Sequence, residues 1–185
     1  QNQILALTLP VLAGDFRSGA HYIADKIYEK ITGFKGIFST KIAYVTATKI
    51  TDGVEYQLLV ADADGKNAQT LVTSSQPLLS PKWSPLGDKI VYVSFEKGNS
   101  AIYIQDLSTG ARELMSSFPG INSGPAFSPD GKQLALTLSK SGNPEIYTMD
   151  IYTKRLKQVT NSWAIDTGAS WSPDGESLVF TSDRG

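Results

Sequence analysis

Cysteine is absent from the 185 residues, and histidine occurs once, at His21. The first absence excludes disulfides, zinc-thiolate sites and thiol catalysis. The second leaves any Ser-His-Asp arrangement dependent on His21, and no G-x-S-x-G segment accompanies it. A metal site would have to be built from carboxylates, and none cluster suitably in the sequence. No run approaches the ~18 consecutive apolar residues of a membrane-spanning helix. Charge of one sign is also missing. Seventeen basic residues face eighteen acidic ones, for a net charge of −1. That balance gives no electrostatic case for nucleic acid or for an anionic membrane surface. The opening QNQILALTLP has no basic residue before its apolar run, so it is not an intact signal peptide.

What is present is 41% hydrophobic residues, sixteen glycines and nine prolines, enough for a packed core with many turns. The segment WSPLGDKIVYV at 83–93 returns as FSPDGKQLALT at 127–137 and as WSPDGESLVFT at 171–181. Trp83, Phe127 and Trp171 stand 44 residues apart, as do Pro85, Pro129 and Pro173, and Gly87, Gly131 and Gly175. Ile102-Tyr103 and Ile146-Tyr147 keep the same spacing, and so do Asp106 and Asp150. Within each unit a short strand ends near the aromatic. Pro-Asp-Gly or Pro-Leu-Gly then makes a turn, with Gly where positive φ is wanted. Alternating apolar residues follow, as in LALTL, then AIYIQDL or EIYTMDI, then ARELM or LKQVT.

Four short antiparallel strands in roughly 40–45 residues form the blade of a β-propeller. With the strands labelled a to d, a looser first copy supplies KIAYVT at 41–46, QLLVAD at 57–62 and QTLVT at 69–73. The chain then reads bcd, abcd, abcd, ab. A ring must close or leave edge strands bare. A first blade without strand a expects that strand from the far C-terminus. The chain is therefore expected to be a fragment of a longer protein, or to be capped by another chain.

Residues 15–34 differ in kind. Ala20, Ile23, Ala24, Ile27, Tyr28 and Ile31 recur at helical spacing, with Asp15 as N-cap and Gly33 as stop. QILALTL at 3–9 is a candidate lead-in strand. His21 and Asp25, one turn apart, allow a local ion pair worth about 0.2–0.5 kcal/mol. Asp62-Ala63-Asp64-Gly65 echoes the start of a calcium loop but lacks the third ligand and the downstream Glu. A c–d hairpin turn accounts for it better.

AHYIADKIYEKITGFKGIFSTKIAYVTA at 20–47 resembles the domain junction of the TolB family, the soluble periplasmic component of the Tol-Pal system in Gram-negative bacteria. Ala20, His21, Ile23, Ala24, Asp25, Ile27, Tyr28, Glu29, Lys30, Thr32, Gly33, Gly36, Phe38, Thr40 and Ile42 to Val45 fit the family's pattern there. QPLLSPKWSPLGDKIVYVSFE and FPGINSGPAFSPDGKQLALTLSKSGNPEIYTMD resemble its blades. The likeness covers nearly the whole chain and is weakest over 1–19.

The resemblance implies a mainly β fold: part of a six-bladed propeller over 37–185, about three blades plus two strands. Residues 1–36 would be the C-terminal end of an α/β domain. It implies a non-catalytic, periplasmic protein-binding role without a cofactor. The partners would be the lipoprotein Pal on one propeller face, TolA through an N-terminal region, and colicins that exploit the system. Outer-membrane integrity and outer-membrane invagination during cell division are the implied processes, and no membrane insertion is implied. In the family Pal docks on the side of the d–a loops. The matching positions here are Pro77, Leu78 and Leu79, Gly120, Ile121, Asn122 and Ser123, and Ile165, Asp166 and Thr167. The family often has His where Ile121 stands. The Trp-Ser-Pro-Asp-Gly residues themselves are expected to be structural, packing between blades and stabilising turns. The alternative is the propeller of a prolyl-oligopeptidase-like or tricorn-like serine peptidase, whose hydrolase domain would lie outside this chain.

Overall fold

The computed structural model describes residues 5–10 and 14–185. It divides into two compact units, Gln1–Ala43 with Leu59–Thr70, and Tyr44–Leu58 with Leu71–Gly185.

The first unit is organised by helix α1 (Phe16–Thr32). Asp15 occupies the N-cap position through its backbone, whose carbonyl accepts from Gly19 N at 3.0 Å, and its side chain makes no capping bond. Gly33 ends the helix in the left-handed region, φ 78°, and donates its N–H to Glu29 O. The Asp25 carboxylate accepts from Phe38 N at 2.7 Å and Ser39 N at 2.9 Å, tying the helix to the segment that leads into the strands. Gly36 crosses so close that a Cβ there would fall 2.5 Å from Asp25 Cα, so only glycine fits.

Two expectations are corrected here. His21 does not pair with Asp25, which is occupied by backbone donors. Its Nε2 lies 3.7 Å from Asp64 instead. Arg17 bonds both Asp62 and Asp64, so the 62–65 hairpin turn also serves as an acidic clasp for the helix. The lead-in strand over 3–9 is not found where it can be judged. Residues 5–9 do not form a strand, and the start of that segment lies outside the described residues.

The strands are β1 (Lys41–Ile50), β2 (Gly53–Asp62), β3 (Gln69–Ser74), β4 (Leu78–Trp83), β5 (Lys89–Ser94), β6 (Ala101–Asp106), β7 (Arg112–Ser116), β8 (Asn122–Phe127), β9 (Gln133–Leu138), β10 (Glu145–Asp150), β11 (Leu156–Gln158), β12 (Asp166–Trp171) and β13 (Leu178–Ser182). They form four sheets of three, four, four and two strands: β1-β2-β3, β4-β5-β6-β7, β8-β9-β10-β11 and β12-β13. Sequential order and antiparallel pairing are what short hairpin turns between amphipathic strands dictate.

In the second unit the sheets pack face to face, with β8 alongside both β4 and β12. Alternation along each strand decides which core a residue joins. Leu134, Leu136, Leu138, Tyr147 and Met149 face Val91, Val93, Ile102, Ile104 and Met115 of the preceding sheet. Ala135 and Ile146, on the opposite side of the same strands, meet Ala169, Trp171, Leu178 and Phe180. Each large aliphatic buried this way contributes about 1.5–3 kcal/mol.

The repeated turn works through its serine. Ser84, Ser128 and Ser172 each accept a backbone N–H five residues on through Oγ, at 2.9 Å. The Ser128 and Ser172 hydroxyls donate to Asp130 and Asp174, whereas the first copy has Leu86 at that place and Ser84 donates to Asp88 at 2.7 Å. Gly131 sits against the ring of Pro85, and Gly175 against that of Pro129, so successive turns stack. Trp171 Nε1 donates to Ala126 O at 3.1 Å and Phe127 packs on the inter-sheet core.

Candidate functional site

The loops that carry the chain from the last strand of one sheet to the first strand of the next share one construction. Leu78, Asn122 and Asp166 are equivalent by the 44-residue spacing, and all three are buried. The residues next to them point out: Leu79, Ile121 and Ile165 are each nearly half exposed. Pro77, Ser123 and Thr167 are partly covered. Two residues after each buried position the backbone turns left-handed, at Ser80 (φ 52°), Gly124 (φ 55°) and Gly168 (φ 65°). At the same places the first strand of each sheet slips register against the second. This recurrent β-bulge bends the strand where the loop begins. A glycine inside a strand pattern was the available sequence signal at two of the three sites.

What holds each loop differs. Leu78 uses apolar burial. Asn122 Oδ1 accepts from Ser116 Oγ at 2.5 Å and from Phe118 N at 2.9 Å. Its Nδ2 donates to Phe118 O at 2.6 Å and to Gly120 O at 3.3 Å, and its own N–H donates to Ser100 Oγ at 2.9 Å. The side chain at this sequence-expected contact position is thus turned inward, where it shapes the loop. Asp166 pairs with Arg184, and its N–H donates to Pro144 O at 2.9 Å. Burial works against the Asp166 charge. The polar surroundings of Ser182 and Thr160 and the Arg184 guanidinium outweigh it and hold the carboxyl below the usual range.

The connections between second and third strands lock onto these loops from the side. Ser139 Oγ accepts from Ile121 N at 2.7 Å, and a Cβ on Gly120 (φ 83°) would collide with that hydroxyl. Asn143 Nδ2 donates to Ser162 O and Ala164 O, and Asp183 Oδ1 accepts from Ile165 N at 2.6 Å. The exposed apolar side chains are therefore carried on a hydrogen-bonded frame, as suits a docking surface.

Between the second and third sheets this face opens into a pocket of about 280 Å³. It gathers Leu79, Gly120, Ile121, Asn122 and Ser123, five of the residues singled out in the sequence. Pro77, Leu78 and the trio Ile165, Asp166 and Thr167 do not line it. Ser80, Val93, Phe95, Gly98, Asn99 and Ser100 complete the wall and were not read from the sequence, because nothing local distinguishes them from other strand and turn residues. Trp163, 79% exposed beside Ile165, was also missed, although an aromatic in a loop is itself a signal. The Trp-Ser-Pro-Asp-Gly turns lie in the a–b connections, not in this face. Among the described residues no group of three His, Cys, Asp or Glu side chains could hold a metal, and no helix is long and apolar enough to cross a membrane.

Sheets of up to four antiparallel strands, stacked face to face at a constant repeat and locked by Ser-Pro-Asp-Gly turns, define a partial β-propeller with a loop-built face. More specifically, the chain belongs to the TolB β-propeller (PD40) family, whose model matches residues 28–185. It is 58% identical over 121 residues to the Tol-Pal system protein TolB of Xylella fastidiosa strain M12, a match covering 65% of this chain and 28% of that protein. The crystal structure of TolB from Acinetobacter baumannii superposes with a TM-score of 0.93 at 49% identity, over 98% of this chain and 46% of that one. The chain thus spans less than a third of the curated relative and under half of the solved one. The tricorn protease shares the fold at a TM-score of 0.58 and 17% identity, which is a likeness of fold alone.

Proposed function

We propose that this chain is part of a non-catalytic, periplasmic binding protein of the Tol-Pal system, and that the face formed by its d–a loops receives Pal. The observation that carries the reading is the pocket at Leu79, Ile121 and Ser123, with exposed apolar side chains held on a rigid hydrogen-bonded frame. Binding and release is the whole mechanism; no bond is made or broken. In the complete protein the same face would serve outer-membrane integrity and invagination during division, and colicins would exploit it. TolA would be met by an N-terminal region. Residues 1–36 would form the end of an α/β domain and 37–185 the propeller part. The exposed apolar stripe Ile23, Ile27 and Ile31 on the helix supports that boundary.

The test is calorimetric titration of this chain with the soluble domain of Pal. Saturable binding weakened by Ile121→Lys is expected. Ile121 is the right probe because its side chain is exposed, whereas Asn122→Lys would break the loop from within. A folded chain that does not bind Pal would overturn the reading.

A further inference from the structure

From the pocket beside Ile121 and its charged surroundings, we infer that it is a socket for one large apolar side chain on an acidic partner loop, with carboxylates flanking that side chain. The inference rests on the docking reading above and adds the chemistry of what is docked.

The lining is apolar where a side chain would rest. Val93 is buried at the floor, Phe95 packs on the core behind it, and Leu79 and Ile121 form the exposed lips. Two polar groups of the wall, Asn122 and Ser100, are already engaged. Asn122 is saturated by its own loop, and Ser100 Oγ accepts from Asn122 N. A polar side chain reaching the floor at Val93 would lose water without gaining a partner from Asn122 or Ser100, so an apolar one is favoured there.

The charge at the rim is one-sided. Lys97 lies between Phe95 and the pocket residues Gly98 and Asn99, is exposed, and makes no ion pair within 4 Å among the described residues. The neighbouring acid, Glu96, is taken by Arg112, which bonds it at 2.5 Å and 3.2 Å, and by Ser94 Oγ at 2.7 Å. Lys140 follows Ser139, the residue that pins Ile121. Its ammonium sits 4.4 Å from the ring centre of Phe118 and 5.7 Å from that of Tyr147, and makes no ion pair within 4 Å among the described residues. Two lysines in the segments that border the apolar recess, one beside Gly98 and Asn99 and one beside Ser139, complement a carboxylate–apolar–carboxylate loop and disfavour a basic one.

The test uses methyl NMR on this chain with three probe peptides: acetyl-Glu-Leu-Glu-amide, acetyl-Lys-Leu-Lys-amide and acetyl-Glu-Ser-Glu-amide. The Glu-Leu-Glu peptide alone should shift the Leu79 and Ile121 methyls saturably, and more weakly at high salt. Lys97→Glu with Lys140→Glu should weaken that binding by roughly threefold to tenfold, and Ile121→Ser should abolish the shifts at Leu79. Equal response to the Lys-Leu-Lys or Glu-Ser-Glu peptide, or no response to any, overturns the socket. Parallel titration with the Pal domain separates the two readings. Pal binding unaffected by Ile121→Ser and by the double lysine reversal keeps Pal as partner and overturns the socket. Peptide binding at Leu79 and Ile121 without Pal binding keeps the socket and overturns Pal.

Discussion

The loops around Asn122 and Asp166 occupy the same place in consecutive repeats and solve the same problem with different chemistry. Both must carry the chain from one sheet to the next while burying a polar side chain. Asn122 does it as a neutral hub with donors and acceptors matched inside its own loop. Asp166 does it as a charge, balanced at Oδ2 by Arg184, with Oδ1 buried without a hydrogen-bond partner among the described residues. The first loop of the series buries Leu78 and leaves its polar bonding to Ser74, whose Oγ accepts from Gln76 N at 2.9 Å. The repeat therefore specifies position and burial, and leaves the means of satisfaction open.

The largest expected effect tests the neutral hub. Replacing Asn122 with leucine, the residue that suffices at position 78, should cost about 3 kcal/mol, because Phe118 N and the Ser116 hydroxyl lose a buried partner. Urea unfolding of the two chains measures it. A cost near zero would show that burial, not the network, holds the loop.

The charged loop should fail differently. The folded carboxyl of Asp166 is held below its ordinary value of 3.8, so its contribution is present above that value and fades as pH falls through the lower folded value. Wild type should exceed Asp166→Asn by about 1–2 kcal/mol at neutral pH, and the gap should narrow as pH drops below about 4. Asn122→Leu should show no such pH dependence in its cost. A gap that stays constant with pH would mean that Asp166 acts through shape rather than charge.

The bulges sharpen the contrast at smaller scale. Gly124→Ala should cost about 2 kcal/mol and Gly168→Ala about 1 kcal/mol. Both sit at positive φ, but a Cβ on Gly124 would press within 3.2 Å of Thr137 Oγ1 and 3.5 Å of Gly168 Cα, whereas one on Gly168 meets nothing within 4 Å. Thermal unfolding midpoints of the two variants rank them. The smallest effect is a gain: Ser80→Gly should stabilise by about 0.5 kcal/mol, since serine there already bears the left-handed conformation at φ 52°.

Strand order, turn chemistry and the grouping into sheets of three, four, four and two were legible because each depends on neighbours in the chain. Pro-Asp-Gly makes its turn wherever it occurs, and alternation assigns the faces of a strand. The helix and its Gly33 stop were legible for the same reason. Several other features were not. The Asp62–Asp64 clasp on Arg17 joins residues 45 and 47 positions apart. His21 turned to Asp64 because backbone donors had claimed Asp25. Val93 and Phe95 entered the pocket wall from the second strand of a sheet whose first strand supplied Leu79.

What the sequence by itself determined was the repeat: where strands, turns and inter-sheet loops fall, and which residues are candidates for the docking face. Only the tertiary structure decided which of those candidates look outward. Ile121 and Asn122 are adjacent and equally placed in the loop, yet one is a lip of the pocket and the other is fully buried. Their difference arises because the side of a loop that meets solvent is set by what packs against it, here Ser100, Ser116 and Ser139 from three different segments. Local propensity carries no record of those neighbours.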